Sequence, residues 1–333
     1  MGEIVLSGIR PTGPLHLGNY MGAVTNFVKM QENNRCYFFV ADYHSLTTHP
    51  LAEHLQENIK QVLSEYLAAG IDPNKSTLYI QSDLPETAEL YLYLNMNAYI
   101  GELERTTTYK DKKSKQPTNI NAGLLTYPTL MAADILIHRA TKVPVGKDQE
   151  QHLEMTRTFG NRFNRMYNYD LFPEATAYNF GEELVKIPGL DGSGKMGKSE
   201  GVDNCLYLSD SPEALKKKIM KALTDSGPTQ MNQEKPVYIE NLFTILNAVG
   251  TNDTVQYFED QWNNCTIRYG DFKKQIFEDV NAFLTPIRER IHDIRSNDEY
   301  LGKVAKQGAE QARESASATM KEVRRLIGIK SLF

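Results

Sequence analysis

The sequence predicts an α/β fold: a Rossmann-like, doubly wound parallel sheet followed by an all-helical C-terminal domain. Short apolar runs alternate with helical patterns in the first 201 residues, which favours a parallel sheet with right-handed crossovers. From residue 202 onward only helical patterns remain. The length of 333 residues also favours two domains. We therefore expect one domain over residues 1–201 and a helical one over 202–333, with the last helix able to pack back on the first.

Four apolar runs predict buried strands. They cover Glu3–Ser7, Cys36–Asp42, Ser76–Gln81 and Lys142–Gly146. The carboxyl ends of parallel strands meet at one edge of a sheet, and α/β proteins bind ligands there. We therefore expect the loop Gly8–Asn19 and the polar residues after the second and third strands to share one rim.

Apolar residues at helical spacing predict the helices. Between the strands and after them these are Tyr20–Gln31, Leu51–Ala69, Glu86–Tyr99, Thr126–Arg139 and a helix from Lys147 to about Tyr167. In the last third, a helix begins after Ser211, a capping residue followed by a proline, and others cover roughly residues 237–249, 253–263, 270–294 and 297–327. The basic stretch Tyr109–Gln116 is expected to be a solvated loop, and the alternative is a segment that faces an anion.

The loop after the first strand suits a phosphate. Glycines and prolines between Gly8 and Pro14 predict a sharp turn with an exposed backbone. The helix that follows begins with free N–H groups and the positive end of its dipole. His16 and Asn19 lie at that point and can donate hydrogen bonds. The alternative is an ordinary βα loop with an incidental histidine.

A second loop, Asp191–Gly201, carries four glycines among eleven residues and is expected to be flexible. Lys195, Lys198 and Ser199 on this loop could close over a polyphosphate.

One face of the helix Thr126–Arg139 carries four residues spaced by four, three and four. They are Tyr127, Met131, Asp134 and His138. A carboxylate on a face fit for burial needs a partner. An ion pair of Asp134 with Arg139 or Arg105 is the structural alternative to a ligand-binding role.

The bulk composition excludes several classes of protein. The net charge of −5 argues against a nonspecific DNA coat, although local basic patches still allow RNA binding. The three cysteines form neither a disulfide framework nor a metal site. No apolar run reaches membrane length and no leader is apparent. We expect a cytoplasmic protein without a membrane partner.

Two motifs about 180 residues apart resemble the signatures of class I aminoacyl-tRNA synthetases. His16-Leu-Gly-Asn19 is similar to the HIGH motif, and Lys195-Met-Gly-Lys-Ser199 to the KMSKS motif. The segments Ala122–Leu136 and Val143–His152 resemble the amino-acid pocket helix and the GxDQxxH segment of the bacterial tryptophanyl branch. This resemblance covers essentially the whole chain.

The resemblance implies a ligase that activates L-tryptophan with ATP to Trp-AMP and pyrophosphate, then transfers tryptophan to the 3′ end of tRNA(Trp). It also implies Mg²⁺ with the ATP, a homodimer, and a helical domain that binds the anticodon. Trp262 and Tyr269 are candidates for stacking on anticodon bases. Basic clusters are candidates for further RNA contacts: Lys216–Lys218, Lys221, Lys321, Arg324, Arg325 and Lys330.

Site residues carry over from the matching motifs. Catalysis is expected from His16, Asn19, Lys195 and Lys198. Nucleotide contacts are expected from Arg10, Pro11, Thr12, Gly18, Asn19, Gly146, Lys147, Asp148, Ile187, Lys195, Met196, Gly197, Lys198 and Ser199. By the resemblance, Asp148 holds the ribose and Ile187 lies against the adenine.

The same resemblance gives a tryptophan pocket. Asp134 would accept the indole N–H at the end of an apolar slot walled by Met131, Val143 and Val145. By the resemblance, Tyr127 and Gln149 would hold the α-amino group. His44, which follows the second strand, is a further candidate for a ligand contact at the rim.

Three positions depart from the family pattern: Arg10 is often Gln, Lys147 is often Glu, and Gly197 is often Ser. Because of these three departures, the resemblance does not predict how fast the loop Asp191–Gly201 closes or how tightly the nucleotide binds. The competing hypotheses are a tyrosyl-tRNA synthetase, a small nucleotidyltransferase and a non-catalytic paralogue that binds tRNA.

Overall fold

A computed structural model of the chain describes residues 2–115, 118–146, 149–178, 186–198 and 201–329. Its strands are β1 (Ile4–Ile9), β2 (Arg35–Val40), β3 (Thr77–Ile80), β4 (Lys142–Val143) and β5 (Thr176–Ala177). They form one parallel sheet in the order β3-β2-β1-β4-β5. The strand order reverses direction beside β1, as in doubly wound folds, so the predicted fold class is confirmed.

Helices cover both faces of this sheet and make up most of the last third of the chain. The first ten are α1 (Leu17–Asn19), α2 (Thr25–Met30), α3 (Asp42–Ser45), α4 (Ala52–Ala68), α5 (Pro85–Asn95), α6 (Ile100–Leu103), α7 (Thr107–Lys115), α8 (Ala122–Leu125), α9 (Tyr127–Ile137) and α10 (Glu150–Tyr167). The remaining described helices are α11 (Pro212–Met220), α12 (Val237–Val249), α13 (Asn252–Asn263), α14 (Tyr269–Arg295) and α15 (Asp298–Ile327). A π-helical segment, Tyr20–Val24, joins α1 to α2.

The local predictions fail in three places. The solvated loop predicted at Tyr109–Gln116 is wrong, because most of it lies in helix α7. The end of the helix predicted at Glu86–Tyr99 is wrong, because α5 ends at Asn95 and the next helix, α6, begins only at Ile100. The helix predicted from Lys147 to about Tyr167 is α10, which begins at Glu150. Residues 147 and 148 lie outside the described part of the chain.

The sheet is buried on both faces because β2 alternates between two apolar clusters. Cys36, Phe38 and Val40 point into one cluster, and Tyr37 and Phe39 point into the other. The first cluster continues into α11, α12 and α14, so these later helices share a core with one face of the sheet. No described helix is both long enough and apolar enough to cross a membrane.

The C-terminal helix α15 runs along β3, the edge strand of the sheet. Gly308 permits this close approach, because a Cβ at that position would overlap the backbone carbonyl of Leu78. A helix over the edge blocks strand pairing with another chain.

Candidate active site

A cleft of about 560 Å³ lies at the carboxyl ends of β1 and β4. It opens between the His16 turn (residues 10–19) and the lysine loop (residues 191–198). Most of the residues expected at the site line it. They are Arg10, Thr12, His16, Asn19, His44, Tyr127, Met131, Asp134, Val143, Val145, Gly146, Gln149, Lys195, Met196, Gly197 and Lys198.

The other expected residues divide into two groups. Lys147, Asp148 and Ser199 lie outside the described residues. Pro11, Gly18 and Ile187 are described but do not line the cleft. Ile187 is buried, and its carbonyl accepts the Met196 N–H at 2.9 Å. In this structure it therefore binds the lysine loop to the protein core.

The His16 turn is closed by a reciprocal pair of hydrogen bonds. The backbone N–H of Asn19 donates to His16 Nδ1, and the backbone N–H of His16 donates to Asn19 Oδ1, each at 3.2 Å. Burial, with help from Lys198 and Lys195, lowers the pKa of His16 to about 4. The ring is therefore neutral near pH 7. Since Nδ1 accepts a hydrogen bond, the ring proton is on Nε2, which can donate to a ligand oxygen.

Backbone bonds join the His16 turn to the chain that follows the lysine loop. The Leu17 N–H donates to the Leu206 carbonyl at 2.8 Å, and the Leu208 N–H donates to the Leu15 carbonyl at 2.9 Å. These bonds bring both motifs to the cleft, although they are far apart in sequence.

Several contacts anchor the lysine loop to the rest of the protein. Met196 is buried and its sulfur accepts the Leu206 N–H at 3.5 Å. Asn241 of α12 donates to the Ser193 carbonyl at 2.9 Å. Beyond these anchors, Lys198 Nζ donates to the Gly13 carbonyl at 2.8 Å, while Lys195 is exposed and lines the cleft. Glycine at position 13 fits its φ of +112°.

Asp134 forms the buried end of the cleft. Its side chain accepts hydrogen bonds from His44 Nε2 at 2.8 Å and from Gln81 Nε2 at 2.7 Å. The residue is only 1% exposed, and burial raises the pKa of its carboxyl. Because each carboxylate oxygen can accept two hydrogen bonds, Asp134 can still receive one from a ligand.

These contacts correct two expectations. The ion pair of Asp134 with Arg139 or Arg105 is wrong, since His44 and Gln81 are its partners. The rim position of His44 is also wrong, because the residue is 3% exposed and lies against Asp134. His44 follows β2 and Gln81 follows β3. The expectation that polar residues after these strands share one rim was therefore the signal that could have identified both as partners of Asp134.

Two further positive groups, Lys112 and Arg10, lie close to Tyr127 of the cleft. Lys112 Nζ, on α7, lies 4.4 Å from the ring centre of Tyr127. Burial and the nearby Arg10 guanidinium lower the pKa of Lys112 to about 8. The Nε and Nη2 atoms of Arg10 are buried without a hydrogen-bond partner among the described residues. Paired cations with unused donors fit an anionic ligand. The sequence analysis included Lys112 only in the basic stretch whose alternative role is to face an anion, because nothing in its local pattern predicts its contact with Tyr127.

The amide of Gln149 completes this side of the cleft. His152 Nδ1 donates to Gln149 Oε1 at 2.9 Å, which fixes the orientation of the amide. No group of three metal-ligating side chains occurs within the described ranges.

Known proteins resemble this chain over nearly its whole length. A family model described as tRNA synthetases class I (W and Y) matches residues 3–285. The tryptophan–tRNA ligase of Porphyromonas gingivalis is 59% identical over 328 residues, covering 98% of this chain and 100% of that protein. The tryptophan–tRNA ligase of Clostridium perfringens is 40% identical over 98% of both chains.

Solved structures give the same result. The tryptophanyl-tRNA synthetase of Campylobacter jejuni, complexed with ADP and tryptophan, superposes with a TM-score of 0.87 at 34% identity, covering 98% of this chain and 99% of that one. The tyrosyl-tRNA synthetase of Archaeoglobus fulgidus reaches a TM-score of 0.62 at 20% identity over 87% of this chain and 90% of that one, which supports a common fold alone.

Proposed function

The chain belongs to the class I tRNA synthetases of the W and Y family, and from this premise we propose that it acts as a tryptophan–tRNA ligase through the cleft described above. In the first step a tryptophan carboxylate oxygen attacks the α-phosphorus of ATP, and the bond to pyrophosphate breaks. In the second, a ribose hydroxyl at the 3′ end of tRNA(Trp) attacks the carbonyl carbon of Trp-AMP, and AMP leaves. Positioning and charge stabilisation dominate such transfers.

The observation that carries the choice of tryptophan is Asp134 at the closed end of the cleft. Indole presents one N–H donor on a large apolar body. Met131, Val143 and Val145 supply apolar walls, while His44 and Gln81 fix the carboxylate that accepts the N–H. Phenylalanine would leave the remaining acceptor position of this buried carboxylate without a donor, and polar sites of this kind reject such analogues by about 10⁴–10⁵.

The reacting ends of both substrates would meet near the His16 turn. His16 Nε2–H would donate to an α-phosphate oxygen, together with Asn19 and Thr12. Tyr127 and Gln149 would hold the α-amino group, and Arg10 would face the tryptophan carboxylate or the nucleotide. All of these residues line the cleft.

The lysine loop would stabilise the leaving pyrophosphate. Lys195 and Lys198 line the cleft and carry the charge. Lys112 on α7 adds a further positive charge beside Tyr127. Asp148 at the ribose, Ile187 at the adenine, and Lys147 and Ser199 beside the phosphates remain part of the proposal. Mg²⁺ would enter with ATP and share the phosphate charge.

The tRNA would engage the helical region, and we keep the division into residues 1–201 and 202–333 as part of the proposal. Two expected contacts are wrong: Trp262 is fully buried and donates to the Gln233 carbonyl, and Lys218 is buried in an ion pair with Asp210. Tyr269 is half-buried with its hydroxyl on Asp225.

The basic residues that remain candidates for RNA contact are exposed. They are Lys216, Lys217, Lys321 and Lys221, the last of which also pairs with Asp203 at 3.7 Å. Arg324 and Arg325 are paired with glutamates, and Lys330 lies outside the described residues. Binding through the exposed lysines should weaken as salt rises. A cytoplasmic homodimer completes the proposal.

Exchange of labelled pyrophosphate into ATP tests this function. We expect exchange that depends on tryptophan and is far slower with tyrosine or phenylalanine. Exchange with tyrosine instead would favour the tyrosyl alternative. Binding of tRNA without any exchange would favour the non-catalytic alternative.

A further inference from the structure

A carboxylate behind the cleft has no role in the function proposed above. Glu65 lies on α4, is 0% exposed, and does not line the cleft. No ion pair of Glu65 within 4 Å occurs in the described part of the chain. Burying an unpaired carboxylate opposes folding. The core therefore gives no reason for an acid at this position.

The contacts of Glu65 lead to the His16 turn. Its Oε2 accepts the backbone N–H of Leu15 at 2.8 Å, and its Oε1 accepts Gln61 Nε2 at 2.7 Å. Leu15 directly precedes His16, and its carbonyl is held by Leu208. The carboxylate thus fixes the peptide that leads into the closed turn.

Glu65 also acts on the lysine loop through its charge. Burial lowers the pKa of Lys198, and the negative charge of Glu65 opposes that shift. Ionised Glu65 therefore helps to keep Lys198 protonated next to the Gly13 carbonyl.

We propose that Glu65 is a positioning residue for ATP: its carboxylate holds the His16 turn through Leu15 and balances the charge of Lys198. This inference rests on the proposed function, since it takes the turn and Lys198 as the phosphate-binding groups. Protonated Glu65 would lose charge and one acceptor, so ATP would bind less tightly.

The surroundings of Glu65 place this change near neutral pH. Burial raises its pKa to about 7, although Gln61, the Leu15 N–H, Lys198 and Arg295 lower it. Arg295 of α14 donates to Gln61 and pairs with Glu57 at 2.8 Å. His16, the nearest histidine along the turn, has a pKa of about 4 and stays neutral in this range.

The test replaces Glu65 by its neutral isostere in the full chain. In tryptophan-dependent pyrophosphate exchange at pH 8, Glu65→Gln should raise the KM for ATP by about tenfold, the effect of one lost charged hydrogen bond. The KM for tryptophan should stay within about twofold, because Glu65 is not part of its pocket. Ser64→Ala is the matched control, since it truncates the neighbouring buried side chain on α4, whose hydroxyl bonds only within the helix, and should change neither constant.

The pH profile separates positioning from a merely structural role. In the unsubstituted protein the KM for ATP should rise as the pH falls from 8 to 6, and Glu65→Gln should lose that rise. Dividing the KM for ATP of the unsubstituted protein by that of Glu65→Gln at each pH removes the effect of the titration of ATP itself. Equal KM values for ATP at pH 8, or identical profiles, would overturn the proposal. Equal losses for ATP and tryptophan would also overturn it.

A second variant leaves Glu65 in place. Gln61→Met removes a hydrogen bond that lowers the pKa of Glu65, so the midpoint of the ATP profile should move to higher pH. An unmoved midpoint would count against Glu65 as the titrating group, even if Glu65→Gln failed to fold. Absence of exchange in the unsubstituted protein would instead reject the proposed function.

Discussion

The proton on the His16 ring is fixed by the Asn19 backbone. Because the Asn19 N–H donates to Nδ1 and the pKa of His16 is about 4, the ring donates from Nε2 without a net charge. It can bind a phosphate oxygen at neutral pH without titrating.

This assignment makes a pH prediction. Replacing His16 by Asn should lower kcat for exchange by about 10²-fold, a typical loss for one donor to the transition state. The ratio of the two kcat values should stay constant from pH 6 to pH 8, since the neutral form of His16 dominates throughout. A ratio that changes with a midpoint near 6.5 would show instead that His16 titrates as an unperturbed histidine.

Asp134 carries the prediction on substrate choice. Asp134→Asn keeps the size of the side chain but places an amide where the carboxylate accepts hydrogen bonds. The KM for tryptophan should rise by about ten- to hundredfold, while the KM for ATP changes little. Thr129→Val on the same helix is the control, because that buried hydroxyl has no hydrogen-bond partner among the described residues. Equal increases for tryptophan and ATP would refute the role of Asp134.

At the scale of elements, the lysine loop has a buried anchor and an exposed cation. Met196 and Asn241 hold its base, so Lys195 can act on the leaving group without ordering the whole loop.

Lys195→Ala should slow adenylate formation by about 10²-fold or more, and tryptophan affinity should hardly change. Single-turnover kinetics and equilibrium binding separate the two effects. Lys217→Ala, an exposed lysine on α11, removes the same charge and should leave both measurements unchanged. A matching loss of tryptophan affinity in Lys195→Ala would contradict this account.

The contact between α15 and β3 gives a prediction on stability. Gly308→Ala would force the helix away from Leu78 and should lower the free energy of unfolding by about 1–3 kcal/mol. Gly302→Ala on the same helix meets no atom within 4 Å, so helix propensity should make it neutral or stabilising by up to about 1 kcal/mol. Urea denaturation measures both. Equal effects of the two substitutions would show that α15 does not pack tightly on β3.

How far the sequence predicts an element depends on what stabilises that element. Helices α12 to α15 lie within two residues of their predicted bounds, because their apolar faces repeat with helical period. Helix α7 was missed because it is almost wholly polar, and its contacts include Lys112 on Tyr127 and Thr107 on Gln151. The pair of His44 and Asp134, and that of Glu65 and Leu15, join positions 90 and 50 residues apart. No local pattern encodes such pairs.

At the scale of the whole molecule, the two motifs meet because one core supports both. The apolar cluster on one face of the sheet includes Leu15 beside the His16 turn, Met196 in the lysine loop, and residues of α12 and α14. The later helices thus reach the cleft through packing, and also through Asn241 and the Arg295–Gln61–Glu65 contacts. This arrangement gives the helical region a direct mechanical connection to both the His16 turn and the lysine loop.

A crystal structure with tryptophan and a non-hydrolysable ATP analogue tests the central claim most directly. The account predicts an indole nitrogen about 3 Å from the Asp134 carboxylate, with His44 and Gln81 still bound to it. The α-phosphate should lie at His16 and the terminal phosphates at Lys195 and Lys198. Both ligands bound outside this cleft, or an indole nitrogen turned away from Asp134, would contradict the account.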